Sequence, residues 1–263
     1  MLANDDLALL TGAAHDAGQI ALRHLNAGPK VWDKPDGQGP VTDADLEIDR
    51  MLQGALCTAR PDYGWLSEES RDTPDRLGRA RVFIVDPIDG TRAFAQGQQG
   101  FAHALAVVEH GQPIAAVIHL PVPDLTYHAL RGHGAFLNGS PIRTTDRHAV
   151  TGARVLATRS QLAAEHWQGG APLMTPHFRP SLAWRMALVA EGQFDAMLSL
   201  RPTWHWDIVA GALLIAEAGG KVSDGAGQDL LFNTKAPVSD GIIAAGAVMH
   251  DALLDLRIPP QSA

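Results

Sequence analysis

The sequence predicts an α+β fold on three observations: an amphipathic helical start, short β-type runs joined by tight turns after Arg81, and strand–helix alternation beyond residue 150. Residues 5–26 place Leu10, Ala14, Ala17, Ala21 and Leu25 on one helical face, with Asn4 as the cap and Gly28-Pro29 as the stop. The stretch from Lys34 to Pro40, KPDGQGP, is dense in turn formers and reads as a loop whose glycines permit a lid. VTDADLEIDRMLQGAL then restarts a helix with Ile48, Leu52 and Ala55 inward. Strands are expected over residues 82–85, 104–108, 114–120, 126–130 and 135–137, with turns at His110-Gly111-Gln112-Pro113 and Asn138-Gly139, which makes a largely antiparallel sheet. Helices follow over residues 182–191 and 207–218, each closed by glycine. The chain divides into an N-terminal α+β part, residues 1–150, and a C-terminal α/β part, residues 151–263.

A hydrophobic fraction of 46% over 263 residues supplies a real core. The net charge of −8, with no run of Lys and Arg, argues against a nucleic-acid polymer as partner and for a small molecule. The single cysteine, Cys57, excludes an internal disulfide and a Cys-rich zinc site, and reads as a core thiol on a helix face. Asp5 and Asp6 stand where a signal peptide carries positive charge, and no apolar run is long enough to span a membrane, so a cytoplasmic protein is expected.

The chemistry concentrates in VFIVDPIDGTRAF, residues 82–94. A strand running into Asp86, a proline that fixes the turn, and then Asp89-Gly90-Thr91 would aim two carboxylates and the Ile88 peptide carbonyl into one small space. Two carboxylates so close do not both stay ionised at neutral pH unless a cation lies between them, which points to a hard divalent metal, most economically Mg²⁺. Asp-Gly alone also reads as a turn capping the next segment. A second acidic group, Glu68 and Glu69 in WLSEES, again ends a short apolar run. The third is Asp207 in WHWDIVAGALLIAEAGG, which opens a helix with core-like Ile208, Leu213, Leu214 and Ala218. Taken singly, Asp207 is a helix-start acid explained by the macrodipole, and Trp204 and Trp206 read as packing. There is no Gly-x-Ser-x-Gly elbow, no complete P-loop and no His-Glu-x-x-His pair. His110, His119 and His128 read as solvated strand or turn positions, and His205, beside Asp207, as a candidate facing the substrate.

These acidic motifs in this order, with PVTDADLEID at residues 40–49, resemble the inositol monophosphatase superfamily of Mg²⁺-dependent, lithium-sensitive phosphomonoesterases, from the first helix to about Gly246. The resemblance implies a layered αβαβα sandwich of the inositol monophosphatase and fructose-1,6-bisphosphatase type, with the site where the two parts meet. Carried over residue by residue, its metal ligands fall on Glu68, Asp86, the main-chain carbonyl of Ile88, Asp89 and Asp207, holding two or three Mg²⁺ per site. Its water-activating pair falls on Thr91 and on Asp45, which accepts a proton from that threonine. Main-chain N–H groups around Gly90 and Thr91, if they open a short helix, offer donors to the phosphate. A homodimer is implied in the same way.

Within the superfamily, LSEES, Arg92 directly after the Asp-Gly-Thr, and ATRSQ at residues 157–161 lean towards the 3'(2'),5'-bisphosphate nucleotidase branch, which hydrolyses adenosine 3',5'-bisphosphate to AMP and phosphate. Arg159 and Arg185 could hold the second phosphate bidentately; each also reads as a solvated surface charge. SLAWR at residues 181–185, and Gln161 where that branch has His, depart from its pattern. An inositol-1-phosphate or histidinol-phosphate phosphatase is the alternative. A non-catalytic ligand-sensing or partner-binding module is the alternative of another class, and a degenerate copy has no need to keep both Asp45 and Thr91.

Overall fold

A computed structural model describes residues 2–34 and 39–258. The centre of the loop read as a lid, residues 35–38, lies outside the described residues. Helix α1 (Leu2–Ala27) starts ahead of the expected Asn4 cap, and Asn4 is part of the helix. A short antiparallel hairpin, β1 (Val31–Asp33) and β2 (Pro40–Thr42), leads into α2 (Asp43–Ala59), which the Thr42 hydroxyl caps by accepting from the Asp45 N–H. The inward stripe of α2 is Ile48, Leu52 and Leu56; Ala55, expected inside, is exposed, because the four-residue step from Leu52 lands on Leu56. Cys57 is only part-buried, which corrects its reading as a core thiol, and that burial raises its pKa.

The first sheet has seven strands in chain order: β3 (Gly64–Ser67), β4 (Arg81–Asp89), β5 (Ala102–Glu109), β6 (Gln112–Leu120), β7 (Leu125–Leu130), β8 (Ala135–Leu137) and β9 (Ser140–Pro141). Only β3 and β4 run parallel. Helix α3 (Thr91–Ala95) leaves the end of β4. The two expected hairpin turns have left-handed backbones, with φ of 48° and 80° at His110-Gly111 and 47° and 80° at Asn138-Gly139. Two-residue hairpins need that geometry to match strand twist.

Then come β10 (Arg154–Leu156), β11 (Thr175–His177), α4 (Leu182–Ala190), β12 (Ala196–Ser199), β13 (Thr203–Trp204), α5 (His205–Glu217), β14 (Gly220–Ser223), β15 (Val238–Ser239), β16 (Ile242–Gly246) and α6 (Ala247–Leu256). The second sheet is mixed, in the order β11-β10-β12-β16-β14, and β13 pairs separately with β15.

Side chains alternate across each strand, and both faces of both sheets are covered. Phe83, Val85, Leu105 and Val107 pack with Leu10, Ala14, Ile48 and Leu52 of α1 and α2. Their neighbours Val82, Ile84, Ala104 and Ala106 turn the other way, towards Met186 and Leu213 of α4 and α5. That middle helical layer also meets Leu156, Met197, Ile242 and Ala244 of the second sheet, whose far face packs Val155, Leu198 and Ile243 on Met249 and Leu253 of α6. The result is the αβαβα sandwich. Helices from beyond residue 150 cover the first sheet, so one core spans the expected boundary between the two parts. His119 is buried where α1 crosses the sheet, sharing the Thr126 hydroxyl with His15, and His128 is half-buried against Phe136; neither is a solvated position. His110 is exposed at its turn.

Candidate active site

Parallel pairing of β3 with β4 puts Ser67 beside Val85, and the Glu68 N–H donates to the Val85 carbonyl (3.3 Å), so Glu68 leaves its strand next to Asp86. The first turn of α5 brings Asp207 to the same point from the middle layer. One carboxylate oxygen from each of Glu68, Asp86 and Asp207 lies within 4.8 Å of the others. Asp86 is 1% exposed, and its Oδ1 has no hydrogen-bond partner among the described residues. Burial, reinforced by Glu68 and Asp89, holds the Asp86 pKa well above the usual carboxylate range. Asp207 is raised too, by burial and then by Asp89 and Glu68. An orphaned buried carboxylate oxygen among like charges is the environment a cation relieves. The donors are all carboxylate oxygens, without His or Cys, and fit a hard divalent ion such as Mg²⁺.

Strand β4 reaches past Asp86 to Asp89 through a bulge: Asp86 pairs with Ala104 and Asp89 with Ala102, one extra residue on β4. That insertion turns Asp89 into the cavity that Asp86 and Ile88 also line. The His103 ring pins the bulge, its Nδ1 2.5 Å from the Pro87 carbonyl; burial lowers its pKa to about 4, so the ring is neutral and Nδ1–H donates. Asp89 Oδ2 accepts from the Ser181 hydroxyl (2.6 Å) and the Ala183 N–H (2.5 Å) at the start of α4. Burial raises Asp89 to about 6 against the pull of those donors. Asp89 thus shares the cavity but stands outside the tight group of three.

Asp45 is fully buried and divides its two oxygens. Oδ2 closes the capping box, accepting from the Thr42 N–H (2.9 Å) and hydroxyl, while Oδ1 faces the Thr91 hydroxyl at 3.2 Å. The Thr91 hydroxyl has a second acceptor in the Ile88 carbonyl at 3.0 Å. Burial lifts Asp45 to about 6, with the Thr42 donors opposing. Gly90 opens α3 at φ 100°, and a Cβ there would stand 3.1 Å from the Gly100 carbonyl, so only glycine suits this corner.

Sequence reasoning missed two supporting groups. Lys34 places Nζ 2.7 Å from Glu68 Oε1 and 2.8 Å from Glu69 Oε1. Burial pulls the Lys34 pKa down, but the two glutamates outweigh it and the net shift is upward. Burial and the neighbouring Glu68 raise Glu69 to about 7. The other group is Asp49 of α2, which clasps the end of β3 by accepting from the Ser67 hydroxyl (2.5 Å) and the Ser70 hydroxyl. No motif links Lys34 to Glu68, whereas Asp49 falls one turn after Asp45 on the same helix, a spacing that could have suggested it.

The cavity holds about 1010 Å³ and is lined by charges of both signs. Glu68, Asp86, Asp89 and Asp207 line it together with Arg92, Arg185 and Arg201. Arg185 is buried, its Nε donating to the Arg179 carbonyl (2.5 Å) and its guanidinium lying over the Phe178 ring at 4.6 Å. Arg159 is not brought here: it is exposed at the start of a 3-10 turn, whose Thr158, Ser160 and Gln161 face the cavity instead. His205 is also a correction. It is 2% exposed, packs edge-on against Phe232 (5.2 Å) away from the cavity lining, and has its pKa lowered to about 4 by burial. Trp204, read as packing, is 46% exposed and lines the cavity.

The inositol monophosphatase family model matches residues 4–258. Among curated relatives, an inositol-1-monophosphatase of Mesorhizobium japonicum is 33% identical, covering 98% of this chain and 97% of its own. The 3'(2'),5'-bisphosphate nucleotidase CysQ of Escherichia coli is 34% identical over 84% of this chain and 92% of its own. Among solved structures, a Thermotoga maritima IMPase superposes with a TM-score of 0.81 at 27% identity, covering 95% of this chain and 96% of that one. The motif order, the five layers and these matches agree: the chain belongs to the inositol monophosphatase family and is a phosphoric monoester hydrolase.

Proposed function

We propose that this protein is a divalent-metal-dependent phosphomonoesterase of the 3'(2'),5'-bisphosphate nucleotidase type, converting adenosine 3',5'-bisphosphate and water to AMP and phosphate. The observation that carries the reading is the meeting of Glu68, Asp86 and Asp207 beside the Thr91–Asp45 pair. Those carboxylates, with Asp89 and the Ile88 carbonyl, would hold the metal. Bound there, a divalent ion supplies Lewis-acid polarisation and a lowered pKa for water.

The chain's own residues do the rest. With the Thr91 proton donated to Asp45 Oδ1, Thr91 Oγ1 keeps a lone pair free to accept from the attacking water and orient it. As the water oxygen closes on phosphorus, its proton moves towards Thr91 Oγ1 and the threonine proton towards Asp45 Oδ1. The bond from phosphorus to the 3' oxygen breaks, that oxygen takes a proton from solvent water and leaves as the alcohol, and Asp45 returns its proton to solvent. N–H groups around Gly90 and Thr91 offer donors to the phosphate oxygens.

Arg92 and Arg185 support a substrate with a second anionic group. Guanidinium carries only donors in a fixed fork, which matches the oxygens of a phosphate bidentately and those of a neutral hydroxyl only singly. Mg²⁺ as the cation, two or three per site, competition by Li⁺, a homodimer and a cytoplasmic location belong to this reading through the family resemblance. No helix among the described residues is long and apolar enough to cross a membrane.

The test is phosphate release from adenosine 3',5'-bisphosphate, inositol 1-phosphate and histidinol phosphate at equal concentration with Mg²⁺. The bisphosphate should lead in kcat/KM. A lead by inositol 1-phosphate would move the protein to the second reading, which the relative matching 98% of the chain favours. No release from a broad panel of monoesters would leave the non-catalytic module.

A further inference from the structure

The phosphatase chemistry leaves one wall of the cavity without a role. Residues Arg201 and Trp204, on the segment that enters α5, both line it and are both exposed. The Arg201 guanidinium makes no ion pair or hydrogen bond with the described residues; only its carbonyl is engaged, accepting from the Thr203 hydroxyl (3.0 Å). It lines the cavity together with Asp207 and Arg185, and its charge acts on both. The Trp204 indole stacks on that of Trp206, with centroids 4.8 Å apart and planes 7° from parallel. Trp206 is anchored against the main core, and the Trp204 backbone is tied by pairing with Val238. The exposed ring is therefore held in place before any ligand arrives, which lowers the entropy lost on binding.

We propose that Trp204 and Arg201 form the subsite for the leaving group: Trp204 stacks on a planar heteroaromatic ring, and Arg201, with Arg185, takes a second phosphate carried by that ring's sugar. The substrate class is then a nucleotide with two separate phosphates. This rests on the phosphatase reading of the carboxylate site. A polyol has no flat face for an indole to stack on. A nucleotide offers a π-face and an acceptor-rich anion, the two things this wall can recognise.

Three esters separate the contributions: glycerol 2-phosphate has neither feature, adenosine 3'-monophosphate has the ring, and adenosine 3',5'-bisphosphate has both. Arg201→Gln should lower the kcat/KM ratio of bisphosphate to adenosine 3'-monophosphate about tenfold, mainly through KM, the scale of a charge-assisted contact. Trp204→Leu should lower the ratio of either nucleotide to glycerol 2-phosphate by about tenfold or more, the scale of base stacking. Unchanged ratios overturn the subsite, whether or not overall activity falls. Binding supplies a second readout: adenosine 5'-monophosphate should quench tryptophan fluorescence in the wild type and not in Trp204→Leu, and equal quenching in both would also overturn it. If the wild type turns over neither these esters nor any of a broad panel of monoesters, the phosphatase reading fails and the fluorescence titration alone decides the subsite.

Discussion

Replacing Asp86 with Asn should stabilise the metal-free protein while removing its response to metal. At the 4.8 Å that bounds the separation of Glu68, Asp86 and Asp207, two unit charges repel by about 3.5 kcal/mol at an effective dielectric constant of about 20. An ionised Asp86 facing Glu68 bears about that repulsion on top of its desolvation, the larger cause of its raised pKa; Asp207, itself raised, adds less than a full charge. The gap between pH 7 and the ordinary value of 3.8, at 1.36 kcal/mol per unit, is about 4.4 kcal/mol. That figure is a ceiling on what Asn can recover. A pKa raised on folding contributes stability that is fully present below 3.8 and is lost as pH climbs towards the folded-state value. The advantage of Asn should accordingly vanish near pH 4, have a ceiling of about 1.6 kcal/mol at pH 5 and grow to neutrality. Subtracting about 1–3 kcal/mol for unmatched amide hydrogen bonds leaves about 1–3 kcal/mol at pH 7, or roughly 2–12 °C in Tm. Scanning calorimetry in EDTA at pH 5 and pH 7, repeated with Mg²⁺, reads all of this. A variant that melts below wild type in EDTA at pH 7, yet keeps the full Mg²⁺-induced rise, refutes the reasoning.

Two further outcomes follow from neighbouring groups. Asp45→Asn should cut kcat by about 10²-fold with the Mg²⁺-induced rise in Tm retained. In the wild type, Asp45 must be ionised to take up the Thr91 proton, so kcat/KM should fall as pH drops through about 6, or lower once cations are bound; the same acid limb in the variant would assign it to another group. Ser181→Ala removes both the α4 cap and a donor to Asp89, costing about 1 kcal/mol, or roughly 2–4 °C in Tm, and raising the Mg²⁺ concentration needed for half-maximal activity. Unchanged metal dependence would detach Ser181 from the site.

Local pattern was enough for the elements that carry the site. The alternation of Val82 to Val85, the turn residues at His110-Gly111 and Asn138-Gly139, and the glycines after α4 and α5 act through backbone physics within a few residues, and each stands close to its expected place. The acidic motifs could be picked out by their combination and order along the chain, since a helix-start acid such as Asp207 is by itself explained by the macrodipole. Amphipathic pattern gave the burial of most of α1 and α2, failing at Ala55 and Cys57 where the stripe ends.

Direction and distance belonged to tertiary structure. Arg159 and Arg185 look alike in the sequence, yet one points to solvent from a 3-10 turn and the other is buried by α4 against Phe178. His205 and Trp204 are adjacent, and the turn into α5 sends the histidine to Phe232 and the indole to the cavity. Lys34 meets Glu68 across 34 residues, a pairing that exists only once the chain leaving β1 is folded back towards the end of β3. Residue type and spacing set which chemistry is available, because charge and backbone preference are local. Which side chains share it is set by the packing of layers drawn from distant parts of the chain.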